Sequence, residues 1–422
     1  MKKVFLCLVM LCLLALTACS RSGQSGADNQ EKYSEFTKSF IAMVDGNEQV
    51  KAMLEEGIAI CKDINPDPQS NPVQTLEQYY DFVEWSTKCM PWDIAPQPEG
   101  RPLLNRIDQS LNYFYWLVDQ PLDCLMDSDY YRPTLQYHEP FRSWLIAYTK
   151  EWGSYLSTEA SWNEEYLQLA KDNADFGLQN GWYEDPSLWH SFNDFFSRRL
   201  ASPEMRPIAE PDNAAIVCSP ADSDPQGLWE IDEEGCFVLD EGVAIKSRRF
   251  YSTQELLGES AYKDAFCGGT MTHTFLNVHD YHRYHFPVSG IVRELLTIPG
   301  DDALGGKIVF DAPTKTYQLW CDEPTWQAIE TRTVAMVETE EYGMVALLPI
   351  GMSQVCSCMW EEGLAVGQSV KKGYPLGYFL FGGSDFVILF EKGVNVEMLA
   401  PQEDGDYKHI LMGEPLCRIS KK

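Results

Sequence analysis

The sequence predicts an α+β protein, in which a helical N-terminal domain is followed by a β-rich domain. From about residue 32 to residue 195, apolar residues recur at three- and four-residue spacing, which is the period of amphipathic helices. After about residue 207 the pattern changes to short β-branched or apolar runs separated by Gly, Pro and Asp, as is typical of strands and turns. We therefore place the boundary between the two domains near residue 195.

The clearest helix of the first domain is predicted at Phe141–Leu156. Its three- and four-residue spacing places Trp144, Leu145, Tyr148 and Trp152 on one face. This half of the chain is rich in Trp and Tyr, and aromatic packing between helices explains that enrichment without any ligand.

Six runs in the second half predict strands. They alternate with turn residues and are rich in β-branched and apolar side chains. Their limits are 269–278, 290–296, 307–310, 331–338, 343–350 and 386–391.

The N-terminus has the parts of an export signal. Two lysines precede an apolar run at 4–16, which is too short to span a bilayer, and small residues then lead to Cys19. This pattern resembles the bacterial lipobox and predicts a lipoprotein signal peptide at 1–19, lipidation of Cys19 and a flexible tether at 20–31. We therefore expect an exported lipoprotein of the bacterial cell envelope; an ordinary signal with a chance cysteine is the alternative.

The formal net charge of −30 limits the possible partners. It disfavours nucleic acid and anionic membrane surfaces, because like charges repel. We expect contact with a membrane to depend on the lipid anchor, since the mature chain offers no clear apolar segment that could enter a bilayer.

Four of the seven histidines lie at positions 273, 279, 282 and 285. His279, His282 and His285 are three residues apart, so a zinc site with three histidine ligands and an open position is one hypothesis. The spacing suits a helix better than a strand, yet the segment lies between strand-like runs and contains Pro287 and Gly290.

A second candidate segment runs from Gly377 to Asp385 and includes Gly382-Gly383-Ser384. Paired glycines before a serine permit backbone conformations that other residues avoid. Taken alone, however, the segment favours a plain hairpin turn.

Four motifs in order resemble those of the phosphatidylserine decarboxylase family. They are FFSRRLASPEMRP at 195–207, SPAD at 219–222, DYHRYHFPVSG at 280–290 and FGGS at 381–384. A looser likeness, which includes NGWYEDPSLWHSFNDFFSRR at 180–199, is similar to the fungal aromatic amino acid (tryptophan) decarboxylases, which carry an extra N-terminal helical domain.

The resemblance implies a self-cleaved catalytic domain at 196–422 and assigns its residues. Ser384 would attack the carbonyl of Gly383, with His285 as the base and Asp222 orienting that base. The chain would break between 383 and 384, leaving a pyruvoyl group from Ser384 and two fragments that stay associated. His282 would be the proton donor in decarboxylation.

The pyruvoyl group would serve as the cofactor by forming a Schiff base with the substrate amine, and no metal is implied. Phosphatidylserine and a free aromatic amino acid are the two substrate candidates. Two positions depart from the family pattern, because Asp385 follows the serine and Ser223 replaces a glycine after Asp222. A zinc-binding protein or hydrolase and an inactive exported binding homologue are the alternatives.

Overall fold

The computed structural model describes residues 32–97, 100–238, 252–320, 326–352 and 357–422. The predicted signal peptide, Cys19 and the tether lie outside the described residues. Everything said below about structure concerns the described ranges.

The helices are concentrated in the N-terminal half, as the sequence predicts. Several begin at a capping side chain that accepts a backbone N–H of the first turn, such as Ser34, Asn47 and Thr75. In the described ranges the helices are α1 Glu35–Asp45, α2 Glu48–Ile64, α3 Leu76–Ser86, α4 Leu103–Trp116, α5 Phe141–Leu156, α6 Glu164–Lys171, α7 Phe192–Phe196 and α8 Thr253–Leu257.

The strands all follow residue 215, so the predicted α+β class is confirmed. The strands are β1 Ile216–Cys218, β2 Asp224–Glu230, β3 Thr270–Leu276, β4 Arg283–His285, β5 Gly290–Ile298, β6 Lys307–Asp311, β7 Thr316–Trp320, β8 Thr331–Thr339, β9 Gly343–Met352, β10 Cys358–Trp360, β11 Ser369–Val370, β12 Pro375–Phe379, β13 Gly383–Phe390, β14 Val394–Met398, β15 Gln402–Glu403, β16 Asp406–Tyr407 and β17 Pro415–Lys421. Each of the six predicted runs coincides with one of these strands.

The largest sheet among the described residues has seven antiparallel strands in the order β11-β5-β8-β9-β13-β3-β2. Smaller sheets have the orders β10-β12-β4 and β1-β17-β14, and β6-β7 and β15-β16 form hairpins. β13 lies inside the large sheet, so both of its edges are paired and its position is fixed by two ladders of backbone hydrogen bonds.

Alternate side chains of β13 enter two different apolar clusters. Phe386 and Ile388 belong to the cluster shared with the helices, whereas Val387 and Leu389 belong to a cluster on the other face of the sheet. This follows from the two-residue period of a strand. The first cluster runs without a break from Phe40 in α1 to β17, so the helical half and the sheet share one core.

The predicted face of α5 is buried in this shared core. Trp144, Leu145, Tyr148 and Trp152 are all buried, and the ring of Trp152 lies 5.6 Å from that of Phe381, just before β13. The aromatic residues of the first half therefore pack helices against each other and against the segment that leads to Ser384. None of the helices in the described ranges is long and apolar enough to cross a membrane.

Candidate active site

Ser384 lies at the start of β13 and is completely buried. It pairs with Leu276 of β3 on one side and with Gly351 of β9 on the other. Gly383 is already the first residue of the strand, so the Gly-Gly-Ser segment enters a central strand and does not form a hairpin turn.

The backbone before Ser384 requires glycine. Gly382 has a φ of 150°, in a region that side-chain-bearing residues rarely adopt. The preceding residue is fixed from the helical half, because the Asn193 side-chain oxygen accepts a hydrogen bond from the Phe381 amide at 3.0 Å. The bend that brings Ser384 into the strand is therefore built from an unusual backbone conformation and a fixed amide.

His282 is the histidine that contacts Ser384. Its Nδ1 lies 3.2 Å from Ser384 Oγ, while its Nε2 lies 3.1 Å from the Asn277 carbonyl and 3.3 Å from the Val278 carbonyl. A carbonyl oxygen only accepts hydrogen bonds, so Nε2 must carry the proton of a neutral ring. Nδ1 then has a free lone pair that accepts the Ser384 hydroxyl.

The surroundings of His282 keep its ring neutral. Burial, with a smaller contribution from the charge of Arg198, holds the pKa of His282 well below its usual value. Phe196 at the end of α7 stacks on the imidazole with ring centroids 3.8 Å apart. Arg198 also donates to the carbonyls of His279 and Asp280, which fixes the turn that presents His282.

His285 has other partners. Its Nδ1 lies 2.9 Å from the Gly373 carbonyl, which makes Nδ1 the protonated nitrogen, and its Nε2 lies 3.2 Å from the Tyr281 hydroxyl. Burial lowers the pKa of His285 to about 4. His285 is therefore hydrogen-bonded to Tyr281 and Gly373, whereas His282 contacts Ser384 directly.

Asp222 forms a buried ion pair with Arg206. The guanidinium donates to both carboxylate oxygens, at 2.9 Å from Nε and 2.5 Å from Nη2, and the Met412 amide donates to Oδ1 at 2.8 Å. Asp222 therefore links the FFSRRLASPEMRP and SPAD motifs to the C-terminal segment. Its carboxylate is close enough to act on the charge state of His285, although these hydrogen bonds go to Arg206 and Met412.

His409 and Asp280 were not predicted as site residues from the sequence. His409 Nε2 lies 2.8 Å from Asp280 Oδ1, and Asp280 Oδ2 accepts the Asn277 amide at 2.8 Å. The Asn277 carbonyl also accepts a hydrogen bond from His282. The Asp280–His409 pair therefore supports the residue that orients His282. Only Asp280 lay within a recognised motif, and no pattern in the sequence connects it to His409.

The two departures from the family pattern are both accommodated. Ser223 is buried, accepts a 2.6 Å hydrogen bond from the Thr274 hydroxyl and donates to the Ala221 carbonyl. Asp385 is also buried, and the alternation of β13 directs its carboxylate to the face opposite Ser384. This carboxylate therefore does not share the space in which Ser384 meets His282.

The histidines at 273, 279, 282 and 285 do not form a metal cluster in the part of the chain that the structure describes. No group of three or more His, Cys, Asp or Glu side chains suited to a metal ion occurs there. His279 lies near Asp280, with 3.7 Å between Nε2 and Oδ1, whereas His282 and His285 have the separate partners given above. The site instead places a histidine beside a serine, an arrangement that can activate the serine hydroxyl.

Comparisons with known proteins identify a family for this fold and site. The family model for phosphatidylserine decarboxylase matches residues 192–418, which is more than half of the chain. A phosphatidylserine decarboxylase proenzyme 2 from rice (Oryza sativa subsp. japonica) is 34% identical over 231 residues, 54% of this chain, of which the chain covers 33%. A phosphatidylserine decarboxylase proenzyme from Chlamydia caviae is 32% identical over 239 residues, which are 55% of this chain and 71% of the relative.

A fungal relative bears out the second likeness. An L-tryptophan decarboxylase from Psilocybe cubensis is 28% identical over 223 residues, which are 50% of this chain and 48% of the relative. The β-rich fold, the buried serine and these matches define the class of protein as a decarboxylase, a carboxy-lyase. The chain belongs to the phosphatidylserine decarboxylase family.

Proposed function

We propose that this protein is a self-processing, pyruvoyl-dependent decarboxylase that removes the α-carboxylate of phosphatidylserine or of a free aromatic amino acid. The observation that carries this proposal is the 3.2 Å contact between Ser384 Oγ and the lone-pair nitrogen of a neutral His282, in a chain of this family. A buried hydroxyl beside a neutral imidazole is the arrangement that activates a serine nucleophile.

The residues of the site fit the formation of the pyruvoyl group. His282 Nδ1 takes the hydroxyl proton, and Ser384 Oγ attacks the Gly383 carbonyl carbon. The peptide bond between them breaks and an ester forms, which frees the amine of residue 384. Loss of the α-proton of residue 384 breaks the ester, leaves a carboxylate on Gly383 and gives dehydroalanine; water then releases ammonia and leaves the keto group.

In the finished enzyme the pyruvoyl group would bind the substrate amine and accept the electrons released as carbon dioxide leaves. His282 faces the position of residue 384, so its Nδ1 would take a proton from the substrate amine as the Schiff base forms and return it to the carbon that loses the carboxylate. We propose that His282 serves both steps, since it makes the direct contact. The roles assigned to His285 and Asp222 stay predictions; Tyr281 and Arg206 are the groups that hold them.

The two substrates remain candidates for different reasons. Relatives named phosphatidylserine decarboxylase match the catalytic half, and one named L-tryptophan decarboxylase matches about as much of the chain. Carbon dioxide release from phosphatidylserine in detergent micelles, compared with release from tryptophan and tyrosine, separates them. Activity on neither would contradict the substrate proposal.

We also propose that Cys19 tethers the enzyme to a membrane of the bacterial cell envelope. The support is the sequence pattern at 1–19 and the acidic net charge, which gives the protein itself little attraction for anionic lipid. Cys19→Ser should move the protein from the membrane fraction to the soluble fraction. An unchanged distribution would contradict the anchor.

Self-cleavage is tested by intact mass spectrometry of the purified protein. Wild type should give a C-terminal piece of residues 384–422 with a pyruvoyl N-terminus, and Ser384→Ala should stay intact. His282→Ala should process at least about a hundredfold more slowly, because it removes the base. His190→Ala is the matched control, since His190 is exposed and lies in the helical half.

An intact wild-type chain would contradict the proposed function. Elemental analysis of that intact chain would then test the zinc alternative, and absence of both cleavage and bound metal would favour an inactive binding homologue. Normal cleavage of the His282→Ala chain would be compatible with the decarboxylase proposal, but it would show that His282 is not the base.

A further inference from the structure

Asp385 directly follows Ser384 in the sequence, and its carboxylate is fully buried. A buried carboxylate is costly unless other groups compensate for its lost hydration. Two donors of the fold do so, and a third group, His273, lies close to the carboxylate. Gln327 Nε2 donates to Oδ2 at 3.1 Å, the Phe386 amide donates to Oδ1 at 2.6 Å, and His273 Nδ1 lies 2.8 Å from Oδ2.

The contact with His273 is close but not aligned as a hydrogen bond. His273 belongs to β3, where it pairs with Val387 of β13, two residues along from Asp385 on the same face. The indole of Trp229 stacks on its ring, with centroids 4.9 Å apart. The His273 ring is thus held by this stack, and both His273 and Gln327 precede residue 383 in the chain.

Cleavage between residues 383 and 384 would change the backbone pairing at the start of β13. In the intact chain Gly383 and Ser384 both belong to β13 and pair with β9. Conversion of Ser384 to a pyruvoyl group replaces its backbone N–H by a keto oxygen, so residue 384 loses its donor to the ladder. Asp385 becomes the first residue with a complete amide, and chain ends fray unless they are anchored.

We propose that Asp385, hydrogen-bonded to Gln327 and in contact with His273, is a positioning residue that anchors the new N-terminus and keeps the pyruvoyl group facing His282. This inference rests on the proposed self-cleavage. The side chain works through the strand, because it points to the opposite face and does not touch the reacting atoms. Its contacts cross the break, joining residues 384–422 to the rest of the protein.

The test compares Asp385→Asn in two backgrounds, the processed protein and the uncleavable Ser384→Ala chain. Hydrogen exchange of the amides at 386–388 is measured by mass spectrometry in both. We expect exchange to rise by about tenfold in the processed protein and to change little in the Ser384→Ala chain, where the strand still continues to residue 383. Asp406→Asn is the control, because Asp406 is exposed in the same C-terminal piece.

A chemical measurement complements the exchange data. Phenylhydrazine reacts with the keto group of the pyruvoyl residue, and a frayed chain end should expose that group. The reaction should be several-fold faster in Asp385→Asn than in wild type and unchanged in Asp406→Asn. Gln327→Met, which removes one donor at similar volume, should act in the same direction and supplies the test if Asp385→Asn does not fold.

Two outcomes would overturn the inference, and they are distinguishable. Equal increases of exchange in the processed and uncleavable backgrounds would make Asp385 merely structural while leaving self-cleavage established. A wild-type chain that stays intact would overturn the proposed function, and the anchoring role with it.

Discussion

Two histidines of one short segment have different hydrogen-bond partners in the candidate site. His282 and His285 are only three residues apart, yet His282 contacts Ser384 and His285 is bound by Gly373 and Tyr281. Both rings are buried, and burial lowers both pKa values. The difference between them lies in which backbone carbonyl fixes the protonated nitrogen, since that decides which nitrogen can accept a proton.

Self-cleavage should therefore depend little on pH across the neutral range. Because the folded pKa of His282 is held well below 6.5, the ring stays an unprotonated base as the pH falls through that value. A histidine with an ordinary pKa would lose about half of its activity as a base at pH 6.5. We expect equal rates of self-cleavage from pH 6 to pH 8. The rate is measured as formation of the two fragments after uncleaved protein is refolded from denaturant. A rate that halves near pH 6.5 would contradict the neutral-ring assignment.

His409 should affect the site through His282. The hydrogen bond and charge of Asp280 raise the pKa of His409 even though burial opposes that rise, and Asp280 in turn receives the Asn277 amide. His409→Ala should slow processing by about tenfold, because a lost hydrogen bond to a charged group costs about 1.5 kcal/mol. Processing rate is measured beside His138→Ala, which changes an exposed hydrogen bond in the helical half. Equal rates for wild type and His409→Ala would contradict this role.

At the level of elements, β13 is the structure that positions the site. Its register with β3 and β9 fixes which residues face His282, because a shift by one residue would exchange Ser384 and Asp385 between the two faces of the sheet. The bend at Gly382 and the Asn193 contact determine where the strand begins.

Gly382→Ala should therefore disturb processing. At φ 150° an alanine costs about 1–3 kcal/mol of backbone strain, and the chain can relieve it by shifting the start of β13. We expect a slower cleavage rate and a lower midpoint of thermal unfolding. Gly57→Ala in α2 is the control, since an added Cβ there meets its nearest neighbour at an ordinary 3.6 Å. Normal processing of Gly382→Ala would show that the bend is not required.

At the level of the whole molecule, the helical half and the sheet behave as one packed body. Asp119, just after α4, accepts hydrogen bonds from Arg132 at 2.7 Å and from the Ile308 amide of β6 at 3.1 Å. Tyr115 and Tyr137 donate to the carbonyls of Asp302 and Leu304. Polar contacts as well as the shared apolar core thus join the two halves.

Loss of the Asp119 carboxylate should destabilise the entire chain. Asp119→Ala leaves Arg132 without its carboxylate partner and the Ile308 amide unsatisfied, which costs about 3 kcal/mol in a buried site. Urea unfolding followed by Trp fluorescence and by far-ultraviolet circular dichroism should give one shared transition at lower urea concentration. Asp129→Ala is the control on an exposed carboxylate of the same segment. Two separate transitions would show that the halves unfold independently.

The sequence by itself determined the class of fold, and it predicted Ser384 as the candidate reactive serine. The limits of α5 and the six strand runs could be predicted because helical and strand periods are local properties of the chain. Gly382-Gly383-Ser384 was recognisable by its composition and its place in an ordered series of motifs. The sequence did not predict β1, β2, β4, β7, β10, β11, β12, β14, β15, β16 and β17. Those of two or three residues carry too little periodicity.

Only the tertiary structure decided which groups meet Ser384. His282 reaches it because Arg198 and the Asn277 carbonyl fix a turn, and these residues are far apart along the chain. The pairing of Asp280 with His409 and of Asp385 with Gln327 depends on strand order and face, which no local pattern records. Contacts between distant residues are set by packing, so the chemistry of each histidine became visible only in the folded chain.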